Sequence, residues 1–529
     1  MENISRRNLV KGIGLGTAAV AAAAALAPTA AHAKADPSYA GTVDVPSFLI
    51  KPEPISDIAE TKDFDVVVVG AGAAGVPAVL AALEGGATVA CLQKESTAIS
   101  QGNGGCGVDL ENSDPAAIEA MISFEMKENA YRPDRRQLAA WAYNSGETMR
   151  WLLNLAAEAN AQSTDSAPTM EFGGGTVTFI KNSFGPKPYT TGNAMQDLAA
   201  LAATKGAEFF YETPGVQLVQ DEAGRVTGVV GQTADGSYVQ LNAAKGVIVA
   251  TGDYQNDYDM CSYYLPDLDN FERKQFGKTG DGHKMVVWAG GKIEDGPHTK
   301  MLHDFDAGPA SMADMPFLAL KDNGERFCDE ATTPMSLMCN YLRGAEDCGW
   351  YTQVFDNDYL TATEGWPGKA VDEEAMQNYM PEVDSEKVGV LPYYTHTYKA
   401  DTLEELAEKL EVTDVEAFVA SVARYNELCE GGADLDFGKD AKYLAPIVTP
   451  PFWGIHRHVR ISAITAGVEV NPEQQCLTPE GEVIPGLYAV GNCAGNFYGG
   501  VDYPLAIGGL SLGRCYNQGR MVGAAVAAL

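Results

Sequence analysis

The sequence predicts an α/β fold, in which a Rossmann-like dinucleotide-binding domain is interrupted by an inserted α+β capping domain. Three observations predict it. Phe64 to Gly75, FDVVVVGAGAAG, reads as a strand that breaks into a glycine turn and opens a helix. From about residue 300 the composition shifts to Met, Tyr and acidic residues. Near Arg460 a glycine-rich, β-branched pattern returns and leads to Ile484–Asn492, IPGLYAVGN. A nucleotide domain split around a cap accounts for that order, with 63–300 and 460–529 as its two parts and 301–459 as the cap. At 529 residues the chain is too long for one compact core.

The first element stands outside the fold. SRRNLVK (Ser5 to Lys11) carries twin arginines, Arg6 and Arg7, before an Ala/Gly-rich segment that ends near Ala31-His32-Ala33. That is the pattern of a twin-arginine secretory leader over residues 1–33. A cleaved leader fits better than an anchoring helix, because the segment is short, rich in Ala and Gly, and closed by Pro28. The expectation is export in the folded state to the periplasm or the outer face of the cytoplasmic membrane. Residues 34–62, rich in Pro, Ser and Asp, read as an extended linker.

Val66 to Val69 form the short apolar run of an inner parallel strand. Gly70 permits the tight turn, Gly72 lets backbone N–H groups approach a pyrophosphate, and Gly75 lets the helix pack on the strand. Ala73 and Ala74 complete the turn, and the helix start supplies a partial positive charge. A second strand, Ala87 to Leu92, ends at the place where many dinucleotide folds carry an acidic ribose ligand. Gln93 holds that place here, followed by Lys94; its amide oxygen can accept from a ribose hydroxyl. Ser100, Gly102, Asn103, Gly104 and Gly105 belong to a second glycine loop.

Glu208 to Leu241 reads as an antiparallel meander with turns at Glu222-Ala223-Gly224 and Ala234-Asp235-Gly236. Gly246 to Gly252, GVIVATG, is a further buried strand whose turn carries Thr251 and Gly252. A polar loop, Thr279-Gly280-Asp281-Gly282, precedes a helix over His283 to Ala289. In the cap, Ala400 to Leu410 is an amphipathic helix with Thr402 as N-cap and Glu405 completing a capping box.

The net charge is −34, and becomes −36 on loss of residues 1–33, which carry Arg6, Arg7, Lys11 and Glu2. Such a surface repels nucleic acid and anionic lipid, and favours solubility. Membrane association is expected through a partner only. The ten cysteines include no CxxC, no CxxCH and no close His/Cys cluster, so neither metal nor haem is expected.

In this order the pieces resemble the flavoprotein subunit family of fumarate reductase and succinate dehydrogenase. The flavocytochrome fumarate reductases and 3-oxosteroid dehydrogenases are relatives in that superfamily. The residues carrying the resemblance are Gly70/Gly72/Gly75, Ala250-Thr251-Gly252, Thr279 to Gly282, Gly324-Glu325-Arg326-Phe327, and Ile484 to Asn492 with Gly508-Gly509. The resemblance implies FAD, with the flavin contacted by the Ser100 to Gly105 loop, by Gly491-Asn492, and by the helix start at Gly508, Gly509 and Leu510. Lys94, Thr251, Gly252 and Asp281 complete the expected cofactor set. No histidine lies between Gln93 and Gly107, so the FAD is expected to be non-covalent.

Departures from the family pattern shape the expected substrate. Where fumarate reductases end a segment in Thr-Thr-Arg with the proton-donating arginine, this chain has Thr332-Thr333-Pro334. Ala506 replaces a substrate arginine, and the family's His-Thr-Met-Gly-Gly strand becomes Ala463-Ile464-Thr465-Ala466-Gly467. A dicarboxylate would lack its bidentate clamps, so fumarate is not the expected substrate. Gly499 to Pro504, with Tyr503, is similar to the Tyr-Pro step of the 3-oxosteroid dehydrogenases, where a tyrosine bonds the ketone oxygen. Tyr393 and Tyr394 lie in the cap where substrate would enter. A phenol polarises a neutral carbonyl and passes a proton. His298 and His303 stand near the start of the cap, where the family places a substrate histidine; a solvated loop histidine is the alternative. Arg460 and Arg514 could restore some charge, although Arg514 falls on the last helix, away from substrate.

The expectation is an exported FAD-dependent oxidoreductase that reduces the activated C=C bond of a small enone or aryl-acrylate substrate in anaerobic respiration. A separate cytochrome or quinol-linked donor would supply electrons. The alternatives are a 3-oxosteroid-type dehydrogenase and a non-catalytic electron-carrying flavoprotein.

Overall fold

The computed structural model describes residues 45–100, 102, 104–184, 191–268, 270–331, 338–342, 349–383, 395–500 and 506–529. Tyr503, Tyr393, Tyr394, Asn103 and Thr332 to Pro334 lie outside the described residues. Pro46–Leu529 forms one unit by its internal contacts.

Its centre is a mainly parallel sheet. β1 (Glu60–Val69) lies between β2 (Val89–Leu92) and β10 (Tyr238–Val249), parallel to both. β7 (Glu208–Phe210) extends the sheet past β2; β19 (Val483–Ala489) and the antiparallel β18 (Gln475–Leu477) extend it past β10. Side chains alternate between the faces as the pleat requires. Val67, Val69, Ala90, Leu92, Val247 and Val249 enter one apolar cluster. Val66, Val68, Val89, Cys91 and Ile248 enter the other. That two-sided burial is why β1 is an uninterrupted valine run rather than an alternating strand.

The expected meander is present as β8 (Gly215–Gln220), β9 (Val226–Gln232) and the first half of β10. The separate strand expected at Gly246 is instead the second half of β10. One edge of β10 pairs with β1 throughout, while the other passes from β9 to β19, so no break is needed.

Six helices precede the cap: α1 (Gly75–Glu84), α2 (Pro115–Glu128), α3 (Arg135–Glu158), α4 (Thr191–Thr204), α5 (Tyr258–Tyr264) and α6 (Asp281–Trp288). The last helix, α9 (Leu510–Ala527), returns to pack along α1. The contact is close because it is made through glycine. A Cβ on Gly519 would lie 2.1 Å from the Ala74 carbonyl oxygen, and one on Gly523 would lie 2.3 Å from that of Ala78. The register 519→523 against 74→78 makes the two helices parallel.

A second, antiparallel sheet joins β3 (Gly104–Val108), β4 (Thr164–Ser166) and β5 (Thr169–Phe172) to β6 (Gly175–Ser183). A third places β17 (Arg460–Ile464) between β11 (Glu272–Arg273) and β12 (Lys300–His303). Residues 318–458 build a fourth from β13 (Leu318–Leu320), β14 (Trp350–Phe355), β15 (Thr397–Ala400) and β16 (Phe452–His458). Helices α7 (Leu403–Lys409) and α8 (Val415–Gly431) cover one face with Leu406, Phe418 and Val422. Phe317, Phe355, Trp453 and Ile455 fill the other. Thr402 caps α7 as expected, accepting from the Glu405 N–H at 3.2 Å.

Part of the segment read as a linker is docked. Phe48 is buried against Tyr263 and Tyr264, its carbonyl accepts from Trp288 Nε1 at 3.1 Å, and β1 already begins at Glu60. The polar composition of this stretch conceals a single apolar anchor. No helix among the described residues is long and apolar enough to cross a membrane.

Candidate functional site

The cleft forms where the carboxyl ends of β1, β10 and β19 meet. Successive backbone bonds set the edge: Gly70 N–H to Leu92 O at 2.7 Å, Ala250 N–H to Val69 O at 2.8 Å, and Val490 N–H to Val249 O at 3.0 Å. Gly70 has φ +106°, and a Cβ there would lie 2.6 Å from Ala250 O. A Cβ on Gly75 would lie 1.7 Å from Gly70 O, so only glycine lets α1 start here. Gly72 differs: the nearest atom to its Cβ position is Ile99 O at 3.3 Å, so the protein leaves this side of the turn open. No side chain caps α1, its N-cap is Ala74, and its first turn holds no acidic residue. Unpaired N–H groups beside an open turn fit a pyrophosphate.

The other sequence-assigned cofactor residues gather around this edge. Ile99 N–H bonds Ala71 O at 3.1 Å and brings the Ser100–Gly105 loop beside the glycine turn. Gly102 packs toward Leu512, and a Cβ on Gly105 would strike the Tyr516 ring at 2.5 Å. Cys106 N–H bonds Gly509 O at 3.0 Å, joining that loop to Gly508-Gly509 and to α9, which begins at Leu510. Gly491 meets Ala74 and donates its N–H to Gln518 Oε1 at 2.9 Å; Asn492 follows it. Thr251 and Gly252 close the end of β10, with the Lys278 ammonium lying over Gly252.

Gln93 takes a structural part instead of the expected ribose contact. Its Oε1 accepts from Ala71 N–H at 3.0 Å and its Nε2 donates to Thr97 O at 2.9 Å, so the buried amide holds the glycine turn in shape. Lys94 and Asp281 form an ion pair at 3.0 Å, with Thr279 bonded to both. They stand at the mouth of the cleft as a linked unit.

The structure brings His303 to β17. His303 ends β12 opposite Arg460, stacks on Phe305 at 4.1 Å between ring centres, and places Nδ1 3.5 Å from Ser462 Oγ. His298 is no solvated loop residue. It is fully buried, Nδ1 accepts from Tyr254 OH, and Nε2 donates to Glu294 O at 2.9 Å. Burial pulls its pKa down to about 4, so a neutral His298 holds the core together. Arg460 is buried and paired with Asp304 and Asp306, so its charge is spent within the protein. Arg514 lies on α9, buried, and donates to Asn492 Oδ1 at 2.8 Å.

Two residues near the flavin loop escape a reading of the sequence. Asn182 is buried, and its Oδ1 accepts from Gly105 N–H at 2.9 Å. Lys181 lies next to it on β6, opposite Cys106, with its ammonium beside Gly508. No motif surrounds them; only the β3–β6 register delivers them here.

Fold and cleft define an FAD-dependent oxidoreductase. The chain belongs to the FAD binding domain family, whose model matches residues 65–507. It is 28% identical over 503 residues to vinyl phenol reductase of Lactiplantibacillus plantarum, covering 88% of this chain and 97% of that protein. It is 26% identical over 493 residues to urocanate reductase of Eggerthella lenta, covering 89% and 75%. Among solved structures, the open conformation of a flavocytochrome c3 fumarate reductase superposes with a TM-score of 0.69 at 23% identity, covering 89% of this chain and 78% of that one. The protein is a flavin-dependent reductase of the fumarate reductase family, and the cleft fits FAD.

Proposed function

We propose that the protein reduces an activated C=C bond in a small enone or aryl-acrylate substrate, and that fumarate is not its substrate. The carrying observation is the wall at β17. Ser462, Ala463 and Ile464 offer no cation, and Arg460 at its start is neutralised by Asp304 and Asp306. A dianion brought here would lose water without gaining a guanidinium pair, which is costly. Pro334 and Ala506, where the family has arginines, point the same way. Vinyl phenol and urocanate, the compounds in the names of two relatives, each carry a double bond conjugated to a ring.

When bound, FAD supplies the hydride, which goes to the carbon β to the activating group. Tyr503 protonates the neighbouring carbon or holds the enolate oxygen, with Tyr393, Tyr394 and His303 as further wall residues. Two electrons and two protons are consumed per double bond. The chain has no haem-attachment motif, so a separate cytochrome or quinol-linked protein delivers the electrons. The twin-arginine leader supports work outside the cytoplasmic membrane, in anaerobic respiration.

The test reduces the purified protein with a viologen under anoxic conditions and follows reoxidation by fumarate, urocanate, cinnamates, vinyl phenols and enone steroids. Fast reoxidation by an aryl alkene or enone, with fumarate inert, is expected. Turnover of fumarate would overturn the substrate reading; silence across the panel would favour a dehydrogenase or an electron carrier. Tyr503→Phe is expected to retain FAD and lose at least 100-fold in turnover, a scale set by general-acid catalysis (about 10²–10⁴-fold).

A further inference from the structure

We infer that Lys181 is a redox-tuning residue, whose ammonium lies against the pyrimidine edge of the flavin and stabilises the negative charge that the ring gains on reduction.

The argument begins with two parallel helices. Gly519 of α9 lies on Ala74, the N-cap of α1, yet α9 starts nine residues earlier, at Leu510. At 1.5 Å per residue the start of α9 projects about 14 Å beyond that of α1. With the pyrophosphate at α1, the ribityl arm and ring system of FAD extend along this offset to the start of α9. That helix start is left open as well. Its N-cap is Gly509 at φ +93°, no side chain caps it, and its first turn holds no acidic residue.

Lys181 reaches this open end. Its cross-strand neighbour Cys106 bonds Gly509 O, and a Cβ on Gly508 would meet only the Lys181 Nζ, at 3.3 Å. Lys181 is half-buried, and no acceptor among the described residues pairs with its ammonium. The buried carboxyl that shares the surroundings of Cys106, Glu125, is pushed up to about 8 by burial and brings no charge at neutral pH.

An unpaired cation at the positive end of a helix is unfavourable, since the dipole there favours anions. The placement is relieved by a negative group lying between the two. Two electrons and one proton from the external donor give a flavin carrying a negative charge at N1 and the C2 carbonyl. Helix start and ammonium then act together on that charge in a partly desolvated cleft. The oxidised ring is neutral and gains much less, so the effect falls on the potential rather than on binding of oxidised FAD.

The experiment measures the FAD midpoint potential and the affinity for sulfite, which adds at flavin N5 and places negative charge at N1, in the full-length holoprotein. Lys181→Met is expected to weaken the preference for reduced over oxidised flavin about tenfold, a fall of about 30 mV for a two-electron couple. It should also raise the sulfite dissociation constant about tenfold, while the dissociation constant of oxidised FAD changes less than threefold. Lys181→Arg should restore the potential and the sulfite affinity. An unchanged potential in the methionine variant would overturn the inference. So would an arginine variant as low as the methionine one, which would make the effect one of packing, and so would equal weakening of oxidised and reduced FAD.

Discussion

The two halves of the molecule treat a buried carboxylate in opposite ways. Glu294, in the nucleotide half, accepts from Gly467 N–H at 3.0 Å and Asn496 N–H at 2.8 Å. Burial outweighs those bonds and pushes its pKa up to about 7. Asp434, in the cap, is as deeply buried, yet the Arg326 guanidinium grips it with two nitrogens, at 3.1 and 2.8 Å. Burial would raise its carboxyl, but Arg326 and the N–H groups of Lys439, Phe437 and Asp436 hold it well below the usual range. Arg326 grips Glu330 as well, at 2.8 Å through two nitrogens, and Lys439 joins at 3.3 Å. The cap is braced by paired charge. The nucleotide half is braced by apolar layers and by glycines that let backbones touch.

The largest expected effect breaks the nucleotide half through its backbone. Gly75→Val places a branched side chain where even a Cβ would lie 1.7 Å from Gly70 O. Purified protein is expected to show no bound FAD by its visible spectrum. Gly72→Ala sharpens the contrast, because its Cβ meets protein only at 3.3 Å. That variant should keep the thermal midpoint of the FAD-free protein while binding FAD at least tenfold more weakly.

Next in size is the brace of the cap. Arg326→Met strands Glu330 and Asp434 in the interior, and losing one partner of a buried pair costs about 3–5 kcal/mol. Chemical denaturation should report that loss, and proteolysis should cut first within 318–458, with FAD still held by the nucleotide half. Release of FAD before any cleavage of the cap would contradict the division.

The pH dependence separates the two carboxylates by sign. Asp434 has a lowered folded pKa, so its contribution is present above its unfolded value and is lost as pH falls through the folded one. Glu294 has a raised folded pKa, so its contribution is present below 4.5 and is lost as pH rises toward about 7. The second swing is of order 2 kcal/mol. Urea midpoints across pH 4 to 8 should flatten over the upper part of that range in Glu294→Gln alone. A matching change in Asp434→Asn would break the comparison.

Legibility in the sequence follows the same division. The glycine turn, the inner strand β1 and the flavin loops could be read because backbone geometry demands particular residues: Gly70 at positive φ, Gly75 beneath a carbonyl, valines where both faces are covered. The wall of the substrate site was legible only in part. His303 was singled out for its place near the cap, but its neighbour Ser462 comes from β17, 159 residues away. Arg460 reads as a free cation until the fold sets Asp304 and Asp306 against it. Gln93 reads as a ribose ligand until Ala71 and Thr97 take its amide. Lys181 and Asn182 carry no local signal at all, since antiparallel pairing with β3 is what brings them to the flavin loop. Side chains whose partners lie far along the chain cannot be assigned from neighbours in sequence.

The smallest effect tests whether local signals in the cap act locally. Thr402 accepts from Glu405 N–H at 3.2 Å at an exposed helix start, and α7 is only seven residues long. Loss of such a cap typically costs about 1 kcal/mol. Thr402→Ala should therefore lower the denaturation midpoint slightly, and Thr402→Ser should recover most of the loss, because the hydroxyl is the acceptor. Leu406 carries the effect inward, since it packs with Phe418 and Val422 against β13 and β14. The FAD absorbance and midpoint potential should stay as in the unaltered protein. A shift in either would mean that the cap helix reaches the flavin, and that the two halves are less independent than their opposite treatment of buried charge implies.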